Sequence, residues 1–288
     1  MKRILPFVAL LALSVTACGQ GARPATLSIG FQPAAFGTDT FSTGPTTVTV
    51  ANGCVVPDNL ATLTTQVYGD AASDATPVGY SVDDLDADCK LNMFLPTGSA
   101  LLVIVRGYDA DGHLIRKGMA ELDEVAEGQQ IDFPTPFWPA SGIDDTPGDG
   151  NGTPELLFVE VMRQFDQFVF ELGFTGDIAP ATARQPNSVG GYLDLIAPDD
   201  TVYTVLLDAS ERGLPLSRSG SVAVERVDFD LTRIPGSMLL TVPYASVGAP
   251  NTATDVVNAP NLDYAVTILD PDDAVRDEAP NSGFASVK

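Results

Sequence analysis

Four oxygen-bearing side chains lie close together in one short stretch of the sequence and could bind a divalent cation. Asp144, Asp145, Asp149 and Asn151 belong to the segment DDTPGDGNG. Hard cations such as calcium bind several oxygen ligands on a tight loop that glycine permits. The order differs from that of an EF-hand, because Pro147 stands where a ligand is expected. We interpret the segment as a solvated acidic linker, with a calcium site as the alternative.

The residue types that common hydrolytic and zinc chemistry require are scarce. His113 is the only histidine, and it stands beside a turn, where exposure to solvent is expected. No G-x-S-x-G segment offers a serine nucleophile, and one histidine with two cysteines is too few for zinc. Pairs of carboxylates could hydrolyse glycosides, but sequence does not fix their separation of about 5 to 10 Å. We predict no catalytic residue and no cofactor other than calcium, with a carboxylate-pair hydrolase as an alternative.

The N-terminus has the layout of an export signal. Lys2 and Arg3 precede an apolar run over residues 4–15, which is shorter than the roughly 20 residues of a membrane-spanning helix. Small residues and Cys18 end the run, and this V-T-A-C pattern resembles the lipobox of bacterial lipoproteins. An ordinary secretory signal cleaved before Cys18 is the alternative.

The lipobox resemblance implies a membrane-anchored protein. Residues 1–17 would be a cleaved signal peptide, Cys18 would carry the lipid, palmitate included, and residues 18–24 would form a tether. In a diderm bacterium, Gly19 after the lipidated cysteine implies the outer membrane as the destination. The membrane is therefore a predicted partner, through the N-terminal lipid.

The two other cysteines, Cys54 and Cys89, are an even pair in an exported chain. Disulfides persist outside the cytosol, so we predict a bridge between them, with two unpaired buried thiols as the alternative. Closing a loop of about 35 residues would contribute roughly 3 to 4 kcal/mol on the chain-entropy model.

The chain is strongly acidic, with a net charge of −23 over 288 residues. Loss of Lys2 and Arg3 with the signal leaves 13 basic residues against 38 acidic ones, a mature charge of about −25. Binding to nucleic acid or to anionic lipid requires basic patches. We therefore predict no nucleic-acid partner.

The apolar pattern beyond residue 24 has period two, with Gly, Pro, Asp and Asn between the runs, which is typical of antiparallel sandwiches. The predicted fold class is all-β, with two antiparallel β-sandwich domains in tandem over residues 25–138 and 156–288. Residues 139–155, rich in Gly, Pro and Asp, are the predicted linker. Predicted strands lie at 25–31, 46–50, 61–68, 78–82, 91–95, 101–108, 113–121, 129–133, 156–162, 167–174, 191–196, 201–208, 221–230, 238–242 and 263–269.

Each half also resembles known sandwich modules. The hairpin LLVIVRGYDADGHLIRKGMAEL, at 101–122, resembles strands of transthyretin-like and immunoglobulin-like domains in exported bacterial proteins. The second half loosely resembles DOMON domains and family-nine carbohydrate-binding modules at 173–177, 192–194, 263–264 and 279–283. It has no tryptophan and no second Asp beside Asp194, so it departs from the pattern of a sugar platform or metal site.

Trp138 is the only tryptophan of the sequence. We interpret it as a cap on the edge of the first core, with a platform for a sugar ring as the alternative. The predicted function is that of a lipid-anchored, non-catalytic binding or structural lipoprotein of the cell envelope, with an envelope protein or a glycan as partner. A carbohydrate-binding module protein is the first alternative, and an acidic-residue glycoside hydrolase is the second.

Overall fold

The computed structural model describes most of the chain beyond residue 23, in segments. They are residues 24–30, 49–51, 54–56, 60–69, 77–81, 84–86, 88–98, 100–133, 137–148, 154–164, 166–176, 178–180, 188–197, 199–207, 214–218, 225–230, 234–248, 262–269, 275–280 and 284–287. Strands dominate these segments, and no α-helix is among them. The predicted all-β class is confirmed.

The described segments contain 21 strands, of which 15 overlap the predicted period-two runs and six lie outside them, at 54–56, 138–144, 179–180, 214–218, 275–279 and 285–287. Their bounds are β1 (Ala25–Gly30), β2 (Thr49–Ala51), β3 (Cys54–Val56), β4 (Thr62–Gly69), β5 (Val78–Ser81), β6 (Lys90–Leu95), β7 (Leu101–Tyr108), β8 (Leu114–Leu122), β9 (Gln130–Asp132), β10 (Trp138–Asp144), β11 (Leu156–Arg163), β12 (Gln167–Phe174), β13 (Ala179–Pro180), β14 (Ser188–Ile196), β15 (Val202–Leu206), β16 (Leu214–Arg218), β17 (Glu225–Asp230), β18 (Ser237–Pro243), β19 (Leu262–Leu269), β20 (Val275–Ala279) and β21 (Ala285–Val287). A short 3-10 helix, Tyr244–Val247, follows β18.

Two separate cores form, one in each half of the chain. In the first half, the three-stranded sheet β6-β1-β9 packs on one face of β4, β7 and β8 and buries Leu27, Met93 and Val103. In the second half, β11, β12 and β18 pack against β14, β15 and β19 and bury Phe170, among others. Both arrangements are sandwich-like, since each core lies between two layers of strands, which are antiparallel except where β1 pairs with β9 in parallel.

Strand β10 joins the two halves into one continuous sheet. The hydrogen-bonded order runs β20-β19-β14-β15-β16-β17-β18-β12-β11-β10-β8-β7-β4-β5. Trp138 pairs with Lys117 of β8, and Ala140 pairs with Met162 of β11. The predicted linker over 139–155 is therefore wrong in its first part, where residues 139–144 belong to this strand. The division into two domains stays a prediction.

The outer faces of the two halves meet in a third apolar cluster. Leu102 and Ile104 of β7, with Tyr68 of β4, pack against Ile234 and Leu239 of the second half. Alternate residues of these strands face the cores described above, so both faces of β7 and β18 are buried. No helix in the described segments is long and apolar enough to cross a membrane.

Candidate functional site

Four charged side chains lie in the middle of four central strands, one in each strand. They are Arg106 of β7, Lys117 of β8, Glu160 of β11 and Glu171 of β12, here called the buried quartet. Their exposed fractions are between 1% and 9%. Arg106 is the direct cross-strand partner of Lys117, and Glu160 is that of Glu171. The first half therefore supplies two cations, and the second half supplies two anions.

Arg106 has an acceptor for each of its three guanidinium nitrogens. Nε donates to Glu160 Oε1 at 2.8 Å and to Oε2 at 2.7 Å. Nη2 donates to Glu171 Oε1 at 3.1 Å and to Oε2 at 3.0 Å. Nη1 donates to Gln66 Oε1 of β4. The planar guanidinium thus binds both carboxylates at once, as its fork of donors allows.

Lys117 completes the quartet from the neighbouring strand. Its Nζ donates to Glu160 Oε2 at 2.6 Å and also to Glu171 Oε2. Ser237 of β18 adds a hydroxyl donor, 3.4 Å from Glu171 Oε1. Each carboxylate therefore contacts both cations, and the quartet is neutral as a whole.

Each pair of like charges would destabilise its own half of the chain without the oppositely charged pair from the other half. Like charges directly opposite one another on paired strands are destabilising, and a buried charge is costly unless it has a partner of opposite charge. Arg106 and Lys117 would be such a pair in the first half alone, and so would Glu160 and Glu171 in the second. The two halves therefore stabilise each other at this point.

The local field holds Glu160 in its ionised form. Burial alone would raise the pKa of this carboxyl, but the nearby charges and hydrogen bonds of Lys117 and Arg106 outweigh burial and lower it. Burial would conversely lower the pKa of Arg106, but the two glutamates raise it instead. Glu160 and Arg106 are thus suited to holding fixed charges rather than to exchanging protons near neutral pH.

A cleft of about 410 Å³ opens beside the quartet, between the two halves. We call it the junction cleft. Its lining comprises Thr64, Gln66, Tyr68, Pro77, Arg106, Tyr108, Asp144, Phe158, Glu160, Glu171, Gly173, Phe174, Pro235, Gly236 and Ser237. The lining thus combines aromatic rings with hydrogen-bonding groups, as small-ligand pockets do.

The ring of Phe158 lies against the backbone of β12 and forms part of this lining. Phe158 is the cross-strand partner of Gly173, and a Cβ atom at Gly173 would lie 2.1 Å from the Phe158 ring. Glycine at position 173 therefore leaves the space that the Phe158 ring occupies. The guanidinium carbon of Arg106 lies 6.0 Å from the ring centroid, which also favours this orientation.

The predicted calcium ligands are only partly described. Asp144, at the end of β10, is exposed and lines the junction cleft. Asp145 is 6% exposed, and its backbone N–H donates to Leu157 O. Asp149 and Asn151 lie outside the described residues, so both the calcium site and its alternative stay predictions.

The predicted cysteine sites are also largely outside the described part. Cys18 and the whole signal segment are not described, and only the backbone of Cys54 is, in β3. Cys89 is half-buried against the first core, with a φ of 59°. Lipidation at Cys18 and the bridge between Cys54 and Cys89 remain predictions.

The turn between β7 and β8 brings His113 close to two carboxylates. The ligand atoms of Asp109, Asp111 and His113 lie within 4.8 Å of one another. His113 is exposed, as predicted, and its Nδ1 lies 3.2 Å from Asp109 Oδ2. Backbone hydrogen bonds from His113 and Asp111 lower the pKa of Asp109. Hydrogen bonds of the turn itself account for this arrangement.

Trp138 lies in the interior rather than on a binding surface. It is 8% exposed and packs with Met162, and Met119 and Val169 lie against the pair. Such a buried ring cannot serve as a sugar platform. The interpretation of Trp138 as a cap on the edge of the first core is not borne out either, because its cluster is separate from that core and includes Met162 and Val169 of the second half.

The buried quartet was not predicted from the sequence, although a signal is present there. Charged residues lie within four apolar runs: Arg106 in LLVIVRGY, Lys117 in LIRKGMAEL, Glu160 in LLFVEVMR and Glu171 in QFVFELGF, although the second and third runs contain other charges as well. The first two of these four charges are positive and the next two are negative. Charged residues are almost never fully buried unless they are paired, so charges within buried strands indicate partners of opposite sign.

Comparison with known proteins identifies no family for this chain. No protein-family model matches the chain, and no curated protein shows significant similarity to it.

Proposed function

We propose that the chain is a lipid-anchored protein of the cell envelope that acts by binding or as a structural element, without catalysis. Export is supported by the basic N-terminus and the short apolar run that follows it, and anchoring is supported by Cys18. The two sandwich-like halves and the cleft between them support a binding role.

One observation carries the non-catalytic part of the proposal. Glu160 and Glu171 are a carboxylate pair that lines the junction cleft. A glycosidase of the usual kind requires one carboxyl with a raised pKa to protonate the leaving group. The pKa of Glu160 is lowered, and Arg106 and Lys117 occupy both carboxylates. This pair is therefore better suited to joining the two halves than to acid catalysis.

Assays with aryl glycosides test this part. Purified protein and its Glu160→Gln variant are incubated with nitrophenyl glycosides of glucose, galactose, mannose and N-acetylglucosamine, between pH 4 and pH 8. We expect no release of nitrophenol above the buffer rate from either protein. Turnover by the wild type that disappears in Glu160→Gln would establish the hydrolase alternative.

The anchor is tested separately by fractionation of cells grown with labelled palmitate. Wild-type protein should carry the label and sediment with membranes, whereas Cys18→Ser should lose the label and leave the membrane fraction. Cys54→Ser is the matched control and should stay anchored. Membrane retention of unlabelled Cys18→Ser would contradict the lipobox interpretation.

A further inference from the structure

We infer that the junction cleft binds a neutral polyhydroxylated ligand, one or two sugar units of a glycan, in contact with Phe158. This inference rests on the proposed binding function and adds a site and a ligand class to it. The cleft volume of about 410 Å³ falls within the range of roughly 300 to 1,000 Å³ for small-ligand pockets.

The charges around the cleft argue against an ionic ligand. Among the described residues of the lining, Arg106 is the only cation, and its three nitrogens already have Gln66, Glu160 and Glu171 as acceptors. An anion would have to break one of these buried contacts, which is costly. Exposed Asp144 adds a negative charge at the same cleft. A neutral ligand can bind without disturbing the quartet.

The aromatic groups supply an apolar surface of the kind that the C–H faces of sugar rings contact. Phe158 is half-buried and held against Gly173, so little side-chain freedom remains to be lost on binding. Tyr68 of β4 and Phe174 of β12 border the cleft but are only 7% and 4% exposed, because they pack in the apolar clusters. The half-buried ring of Phe158 therefore offers more contact area than either of them.

The polar groups of the lining provide both donors and acceptors for hydroxyl groups. Tyr108 is half-buried, burial raises the pKa of its hydroxyl, and this hydroxyl shares a hydrogen bond with Thr64 of β4. Gln66 and Thr64 of β4 and Ser237 of β18 add amide and hydroxyl groups. A few polar groups among apolar ones are what fixes the orientation of a small ligand.

Binding is measured on the full purified chain by saturation-transfer NMR and calorimetry. The probes are neutral trisaccharides of glucose, galactose, mannose and N-acetylglucosamine, with a sulfated glucose trisaccharide for comparison. We expect at least one neutral probe to bind, and its Kd to rise at least tenfold in Phe158→Ala. Phe94→Ala, at a 74% exposed position of β6, is the matched control and should bind as the wild type does.

Tyr108→Phe removes a single oxygen and keeps the ring, so it serves as the second variant if Phe158→Ala fails to fold. A several-fold weaker Kd in this variant supports the site. Binding of none of the neutral probes, preference for the sulfated probe, or unchanged affinity in a folded cleft variant overturns the inference. Such a failure leaves the proposed function intact unless glycoside turnover is also found, since turnover alone contradicts the non-catalytic role.

Discussion

Two sets of charged groups lie on the hairpin of β7 and β8, and they differ in nearly every physical respect. Asp109 and His113 form a pair in the surface turn, 3.2 Å apart, with side chains that are 23% and 76% exposed. Arg106 and Lys117, on the strands only a few residues away, are buried and bind carboxylates from the other half of the chain. The exposed pair is local and screened by water, whereas each buried ion depends on a distant partner.

The comparison teaches that burial, more than distance between charges, determines what an ion pair contributes here. An exposed pair can lose one member and its remaining charge is solvated by water. A buried pair cannot, because the remaining charge has no solvent to replace its partner. Removal of one quartet charge should therefore weaken the contact between the two halves of the chain.

The largest effect is expected for Lys117→Met, which leaves two buried carboxylates with one cation. We expect the free energy of unfolding to fall by about 3 to 5 kcal/mol, the usual cost of breaking a buried pair. Urea unfolding measures the change. The control is Lys90→Met, since Lys90 pairs with Asp132 at 3.5 Å at the surface and should change stability by about 0 to 1 kcal/mol. Equal losses of unfolding free energy in the two variants would show that burial does not determine what an ion pair contributes here.

Removing one charge of each sign should restore part of the loss. Lys117→Met combined with Glu171→Gln leaves the neutral pair of Arg106 and Glu160, which keeps both Nε contacts. We expect the double variant to be more stable than the sum of the single changes predicts, by about 0.5 to 3 kcal/mol. A double-mutant cycle in urea measures this coupling. Strict additivity would show that the quartet does not act as a unit.

Acid should weaken the quartet in a defined direction. Because the pKa of Glu160 is lowered on folding, its contribution is present above the unfolded value of about 4.3 and is lost as pH falls through the folded pKa. The stability difference between wild type and Glu160→Gln should therefore narrow below about pH 4.3. Melting temperatures of both proteins from pH 7 to pH 3 show this. If the stability difference instead grows as pH falls, the pKa of Glu160 is not lowered on folding.

The smallest effect on stability is expected for a change in the turn, at His113. His113→Ala removes a side chain that is 76% exposed, while the backbone hydrogen bonds of the turn to Asp109 remain. We expect no measurable shift in melting temperature by circular dichroism. A clear loss of stability would mean that the contact between His113 and Asp109 contributes more than its exposure allows.

The fold was largely predictable because period-two patterning and turn residues are local properties of a sequence. The runs at 101–108 and 167–174 coincide with β7 and β12. Strand β10 was not predictable in this way, because Pro139 and Gly142 give it the composition of a linker. A Cβ atom at Gly142 would lie 3.3 Å from Glu160 Cγ and 3.4 Å from Val159 O, so close packing against β11 favours glycine there.

The quartet depends on information that local patterns do not contain. A charge such as Arg106 in an apolar run can be located by reading the sequence, but its partner Glu160 lies 54 residues away. The contact exists only because β10 brings β8 and β11 into one sheet and the outer faces of the two halves pack together. Likewise, the junction cleft combines side chains of both halves, so no single segment indicates it.

Site-resolved titration of Glu160 tests the central claim most directly. The side-chain carboxyl carbon is followed by NMR in the full chain between pH 7 and pH 2, with Glu160→Gln identifying its signal. We expect the resonance to remain that of a carboxylate through the ordinary glutamate range and to titrate only at lower pH, because Lys117 and Arg106 hold the charge. Protonation above the ordinary value would contradict the account and indicate a carboxyl available for acid catalysis.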